Sequence, residues 1–195
     1  MVLDLVIHSS PTDVTIALLK DKALVELNKE KNNNSFSVGD IYLGRIKKVM
    51  PGLNAAFVDV GYEKDAFLHY LDLGPKFSSL NKYVNGVVTK KINTASLKDF
   101  SFEADIEKTG KINEQLTGNQ HVLVQIAKEP ISTKGPRLSA ELSIAGRFLV
   151  LVPFSDRISV SQKIKSSDER ARLKRLIQSI RPQGFGVIIR TVAEN

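Results

Sequence analysis

Residues 38–70 constrain the fold more than any other stretch. Val38-Gly39-Asp40-Ile41-Tyr42-Leu43-Gly44-Arg45-Ile46 alternates in polarity and carries two glycines. Glycine within a strand marks a bulge, a bend or a close backbone approach, as a small sheet needs in order to close on itself. Pro51-Gly52 marks a turn, Asn54 to Val60 a strand, Gly61-Tyr62-Glu63-Lys64 a second turn, and Ala66 to Tyr70 another strand. Short strands joined by tight turns predict a small β-barrel.

The flanks read differently. Val2 to Ile7, Val14 to Leu19 and Ala23 to Leu27 predict three short strands, and the polar segment 28–37 predicts a loop. Residues 71–119 hold few apolar runs and many Lys, Ser, Asn and Asp. They predict an extended insertion with one strand at Tyr83 to Thr89. Strands return at His121 to Ile126, Arg147 to Val152, Arg157 to Val160 and Gly186 to Thr191. Lys128 to Arg137 forms a basic loop between them. Ser166-Ser167-Asp168-Glu169 opens a helix with a capping sequence. Leu173, Leu176, Ile177 and Ile180 have the spacing of one buried face, and Pro182 and Gly184 end the helix. The class is α+β, mostly β. A strand at the extreme C-terminus, and an N-terminal strand set apart from the barrel pattern, predict a piece of a longer protein.

Composition narrows the chemistry. No Cys is present, which excludes disulfides, zinc–cysteine sites and cysteine nucleophiles. No basic region and long apolar stretch opens the chain, so no signal peptide is expected. The longest apolar run, Phe148 to Val152, is far short of the roughly 20 residues that span a bilayer. A cytoplasmic protein without a membrane partner is expected. The formal charge of +7 is unevenly placed. Residues 1–119 carry 15 basic and 15 acidic side chains, and residues 120–195 carry 13 and 6. The excess fits a phosphate-bearing partner, or simply a basic solvated face.

No Walker loop, dinucleotide glycine signature or nucleophile elbow occurs. His8, His69 and His121 lack metal-ligand neighbours at helical spacing. Asp168-Glu169 suits helix capping better than acid–base work. Phe57 and Phe67 each lie in a strand near a turn, with Tyr42 and His69 close by in sequence. Rings on a barrel face stack bases at about 1–3 kcal/mol each, whereas rings inside the barrel only fill its core. The sequence leaves that choice open.

The run 38–46, with Asn54-Ala55-Ala56-Phe57-Val58-Asp59-Val60-Gly61 and Ala66-Phe67-Leu68-His69, resembles the OB-fold RNA-binding domain named after ribosomal protein S-one. Ala55-Ala56-Phe57-Val58-Asp59 and Phe67-Leu68 are similar to the version in the ribonuclease E/G family, of the ribonuclease G type. The resemblance continues through Val124 to Glu129, Lys134-Gly135, Ala145 to Leu151 and Gly186 to Thr191. It omits about 74–115, where an insertion is expected.

The resemblance implies a layout. Residues 1–37 would be the first piece of a split ribonuclease-H-like subdomain. Residues 38–138 would be the OB domain with its insertion, and 139–195 the sensor of the RNA 5′ end. A catalytic domain would follow, with magnesium-binding aspartates and a linking zinc outside this chain, so no cofactor is expected here. The implied partner is single-stranded RNA, preferably 5′-monophosphorylated, with homo-oligomers expected of the full-length enzyme. Phe57, Phe67, His69 and Lys134 match RNA-binding positions. Arg190, Thr191 and Val150, the last through its amide, match positions that bind the 5′-phosphate. Where the family often has a second arginine, this chain has Ser161-Gln162-Lys163, with Lys163 as substitute. The residues taken alone also fit a non-catalytic OB-fold RNA-binding or ribosome-associated module, or a scaffold whose basic helix meets an acidic protein.

Overall fold

A computed structural model describes residues 2–31 and 35–194, in two compact units, 1–37 and 38–195. The class is α+β and mostly β, as expected.

The first unit is an antiparallel sheet of β1 (Leu3–Ser9), β2 (Asp13–Lys20) and β3 (Ala23–Lys31), in that order. Asp21 and Lys22 both have positive φ, 48° and 66°, the geometry of a tight hairpin turn that matches strand twist. β3 runs past the expected end at Leu27, because Asn28 and Lys29 pair with Ile16 and Thr15 of β2. Ladder hydrogen bonds outweigh the polar composition there. Residues 32–34 of the expected loop lie outside the described residues.

In the second unit, β4 (Ile41–Met50), β5 (Ala55–Asp59), β6 (Ala66–His69), β7 (His121–Lys128) and β8 (Arg137–Ser139) close a barrel in the order β4-β5-β6-β8-β7. Its interior holds Ile46, Ala56, Val58, Ala66, Leu68, Val124 and Leu138, all with no exposed surface. Gly44 shows why the strand needs glycine. A Cβ there would lie 2.6 Å from Val58 Cγ1, inside any real contact distance.

The segment 71–119 corrects the expectation of a loose insertion. Its expected strand at 83–89 is instead part of helix α1 (Phe77–Val88). Phe77, Leu80 and Val84 recur at helical spacing and are buried, so tertiary packing decides against β-branched propensity. A short helix α2 (Ile112–Gln115) returns the chain to β7, with Ile112 and Leu116 buried. Tyr83, Phe100 and Phe102 pack edge-on around Phe154, with centroids 5.7, 5.8 and 6.2 Å from its ring. Residues 83–102 therefore pack against the segment that follows the barrel.

Beyond the barrel, β9 (Ile144–Ala145), β10 (Leu149–Pro153), β11 (Ile158–Val160) and β12 (Phe185–Ile189) form a sheet in the order β11-β12-β10-β9. Helix α3 (Ser167–Ile180) packs on one face, and Ser166 Oγ accepts from the Glu169 amide at its start. Val160, Ile164, Leu173, Ile177, Val187 and Ile189 form the core beneath it. The expected apolar face of α3 is only half buried. Leu173 and Ile177 are 4% and 7% exposed, but Leu176 and Ile180 are 49% and 66% exposed.

Candidate nucleic-acid interface

Strand parity, which the sequence could not fix, decides where the barrel aromatics point. Ala56 and Val58 of β5, and Ala66 and Leu68 of β6, face the core. Successive side chains alternate, so Phe57, Phe67 and His69 face outward, and each is half-buried. Phe57 lies opposite Phe67 in the register, with ring centroids 5.9 Å apart and planes at 68°. His69 continues the row, 6.5 Å from Phe67. Its Nδ1 accepts the Leu71 amide at 3.1 Å, which leaves Nε2 carrying the proton of the neutral ring.

A shallow groove of about 540 Å³ runs over Phe57 and Phe67, lined also by Lys64, Asp65, Lys134 and Arg137. Ile131 and Lys134 exchange backbone hydrogen bonds of 3.2 and 3.0 Å, closing a tight turn around Ser132-Thr133. Gly135 lets that turn lie on the barrel. A Cβ there would sit 2.2 Å from the Asp65 carbonyl oxygen. Lys134 thus reaches the groove on a short, braced turn. Arg137 is committed elsewhere, since its Nε and Nη2 donate to the two Asp72 carboxylate oxygens at 3.0 and 3.2 Å. Lys47 Nζ is held by Asp65 at 2.7 Å and Asp59 at 3.7 Å. The Asp65 hydrogen bond is the main cause that raises its pKa above 10.5.

A second cluster lies where β12 ends. Arg190 is exposed, and its Nη1 donates to the Gly146 carbonyl at 2.8 Å. The Thr191 and Ser161 hydroxyls are 3.1 Å apart, and Ser161 Oγ accepts the Lys163 amide at 3.4 Å. These bonds draw 161–163 against Thr191. Val150 lies centrally, opposite Ile188 on one side and Ala145 on the other. The Arg190 amide donates to Phe148 O at 2.8 Å, and antiparallel alternation then turns the Val150 amide toward Ile188. That direction places the Val150 amide on the β12 side of β10.

These two clusters sit in a chain whose kinship is clear. A family model described as "Ribonuclease E/G family" matches residues 143–195, the segment that carries Val150, Lys163, Arg190 and Thr191. The chain is 36% identical over 191 residues to ribonuclease G of Haemophilus influenzae, covering 98% of this chain and 35% of that one. It is 34% identical over 194 residues to ribonuclease G of Escherichia coli K12, covering 100% and 36%. Ribonuclease E of Synechocystis is 37% identical over 165 residues, covering 84% and 20%. The chain belongs to the ribonuclease E/G family. It spans about a third of the length of the ribonuclease G relatives it matches.

In this member of the family, several groups that shape the site escaped the sequence reading. Arg170, read only as part of a basic helix, reaches the 160–164 loop and donates to the carbonyls of Ser161 and Ile164 at 2.7 and 3.2 Å. It braces the loop that carries Lys163. Lys48 lies opposite Phe57 across a β-bulge, a register no composition signal could reveal. Among the described residues no group of three or more His, Cys, Asp or Glu is placed to hold a metal ion. Among them, too, no helix is long and apolar enough to cross a membrane.

Proposed function

We propose that this chain is the RNA-binding portion of a single-strand-specific endoribonuclease of RNA processing and decay, one that senses a 5′-monophosphate. The single observation that supports it most is the outward-facing Phe57–Phe67 pair beside Lys134, on a closed barrel of a ribonuclease E/G family chain. Single strands bind through stacking rings and flanking cations, and neither needs base-specific hydrogen bonds. His69 would add an Nε2–H donor at the end of the row. At the second cluster, the free edge of the Arg190 guanidinium suits a terminal phosphate, which it can hold bidentately. Thr191 would add a hydroxyl donor and Lys163 a point charge.

In this reading residues 1–37 are one piece of a split ribonuclease-H-like subdomain, 38–138 the OB domain, and 139–195 the 5′-sensor region. Hydrolysis, with its magnesium and the linking zinc, belongs to a further domain of a cytoplasmic homo-oligomeric enzyme. This chain alone binds RNA without cleaving it. Labelled 5′-monophosphate and 5′-hydroxyl oligonucleotides test the reading. Tighter binding of the phosphorylated strand, lost in Arg190→Ala, is expected. Equal affinity for both ends removes the sensor, no binding of either removes the RNA reading, and metal-dependent cleavage by this chain removes the division of labour.

A further inference from the structure

We propose that the barrel face holds one dinucleotide step of RNA in the order phosphate, base, base, phosphate, with Lys48 as the cation at one end and Lys134 at the other. The proposal rests on reading the barrel face as an RNA site.

The line of residues comes from the register. Ile46 pairs with Val58 and Lys48 pairs with Phe57, so a bulge leaves Lys47 as the extra residue of β4. A bulge re-aims side chains, and here Lys47 and Lys48 are both exposed. Their tasks differ. Lys47 bonds Asp65 and Asp59, two carboxylates that would otherwise repel a phosphate near Phe57. Lys48 is left to face solvent beside that ring. Phe57 in turn lies opposite Phe67, and the Phe67 amide donates to Pro136 O at 2.9 Å, next to the Lys134 turn. Lys48, Phe57, Phe67 and the Lys134 turn thus succeed one another across β4, β5 and β6 at about 4.8 Å per strand.

The ring geometry sets the number of bases. With planes at 68°, no single base can lie flat on both rings. Two successive bases can each stack on one ring only if they are unstacked from each other, which a duplex forbids. Lys64 and Arg137 also line the groove; Arg137 is paired bidentately with Asp72, and Lys134, on the braced turn beyond Phe67, is the cation assigned to the second phosphate.

The test uses the full 195-residue chain and 5′-hydroxyl single strands, so that the end site makes no contribution. Affinity is read by fluorescence anisotropy across a salt series. Each phosphate contact on a single strand contributes about 0.7 to the slope of log affinity against log salt. Lys48→Ala should therefore lower the slope by about 0.7, and Lys48→Arg should preserve it. Phe57→Leu should weaken binding roughly five- to 150-fold, the range for one stacked base, at unchanged slope. Unshifted thermal midpoints identify variants that fold normally, and Lys48 is exposed enough that its variants should. An unchanged slope in Lys48→Ala, with weakened binding in Phe57→Leu, overturns the Lys48 assignment alone. No binding by the parent chain, or full affinity in Phe57→Leu, overturns the RNA face itself.

Discussion

Replacing Arg190 by alanine should separate 5′-end recognition from general RNA binding. A guanidinium carries five N–H donors, and the Gly146 carbonyl takes one from Nη1. The Nε–Nη2 edge stays available to two oxygens of one phosphate. A charge-assisted hydrogen bond is worth about 1.5–3 kcal/mol net, and exposure argues for counting the fork once rather than twice. The expected loss is thus about 1.5–3 kcal/mol, or roughly 10- to 150-fold in affinity for a 5′-monophosphate strand. A 5′-hydroxyl strand should bind Arg190→Ala almost as it binds the parent. The fold should tolerate the change, because one exposed hydrogen bond to Gly146 O is worth at most about 1.5 kcal/mol, a few degrees of melting temperature at this size. Arg190→Lys keeps the charge but not the fork, so its loss should be intermediate. Anisotropy titrations with strands that differ only at the 5′ end measure both. Equal losses for the two strands would show Arg190 to be a general cation and refute the fork argument.

Three other outcomes are expected. Phe154→Ala should destabilise the chain by about 3–5 kcal/mol in calorimetry, because Phe154 is 6% exposed and three rings lose their common partner; a change below about 1 kcal/mol would show the cluster to be incidental. Gly135→Val should weaken single-strand binding and leave the ratio between 5′-monophosphate and 5′-hydroxyl strands intact, since its Cβ would meet the Asp65 carbonyl and lift the Lys134 turn. In Asp65→Asn the Lys47 amine, followed by NMR, should titrate closer to the ordinary 10.5. A lysine pKa raised by folding stabilises fully below 10.5 and loses that effect as pH rises through the raised value. The stability difference between parent and Asp65→Asn should therefore be flat near neutrality and fade only in strong alkali.

The barrel was legible because its signals are local. Gly44 and the turns at Pro51-Gly52 and Gly61 to Lys64 reflect backbone demands of neighbouring residues. What escaped depends on partners distant in sequence. Asn28 and Lys29 are polar, yet they extend β3 because β2 offers an unpaired edge. Val84, Val87 and Val88 favour a strand by propensity, yet the burial of Phe77, Leu80 and Val84 makes the segment helical. At the site, the identity of Phe57 and Phe67 was readable, but their outward direction was not. One residue of register reverses every side chain, and only the closed sheet fixes the register. The direction of the Val150 amide is hidden from the sequence for a related reason. It depends on the phase of the ladder with β12, which the Arg190–Phe148 hydrogen bond sets.

The excess charge of residues 120–195 takes on a more specific meaning once hydrogen bonds are separated from fields. Arg137 and Arg172 are paired with Asp72 and Glu169, so they offer little of either. Arg170 differs, because its donors are spent on neutral carbonyls while its charge stays uncompensated by them. Arg181 likewise donates to the carbonyls of Asp156 and Phe185, with the exposed Asp156 carboxylate at 3.7 Å as a weak counter-charge. Such arginines attract a polyanion over a Debye length of about 8–10 Å but have few N–H groups left for a phosphate. Arg190 combines an uncompensated charge with a free donor edge. In the proposed function the first kind raises the local concentration of RNA whatever its end, and the second kind distinguishes one end from another. Arg181→Gln should therefore depress binding of 5′-hydroxyl and 5′-monophosphate strands alike and more strongly at low salt, whereas Arg190→Ala should change their ratio.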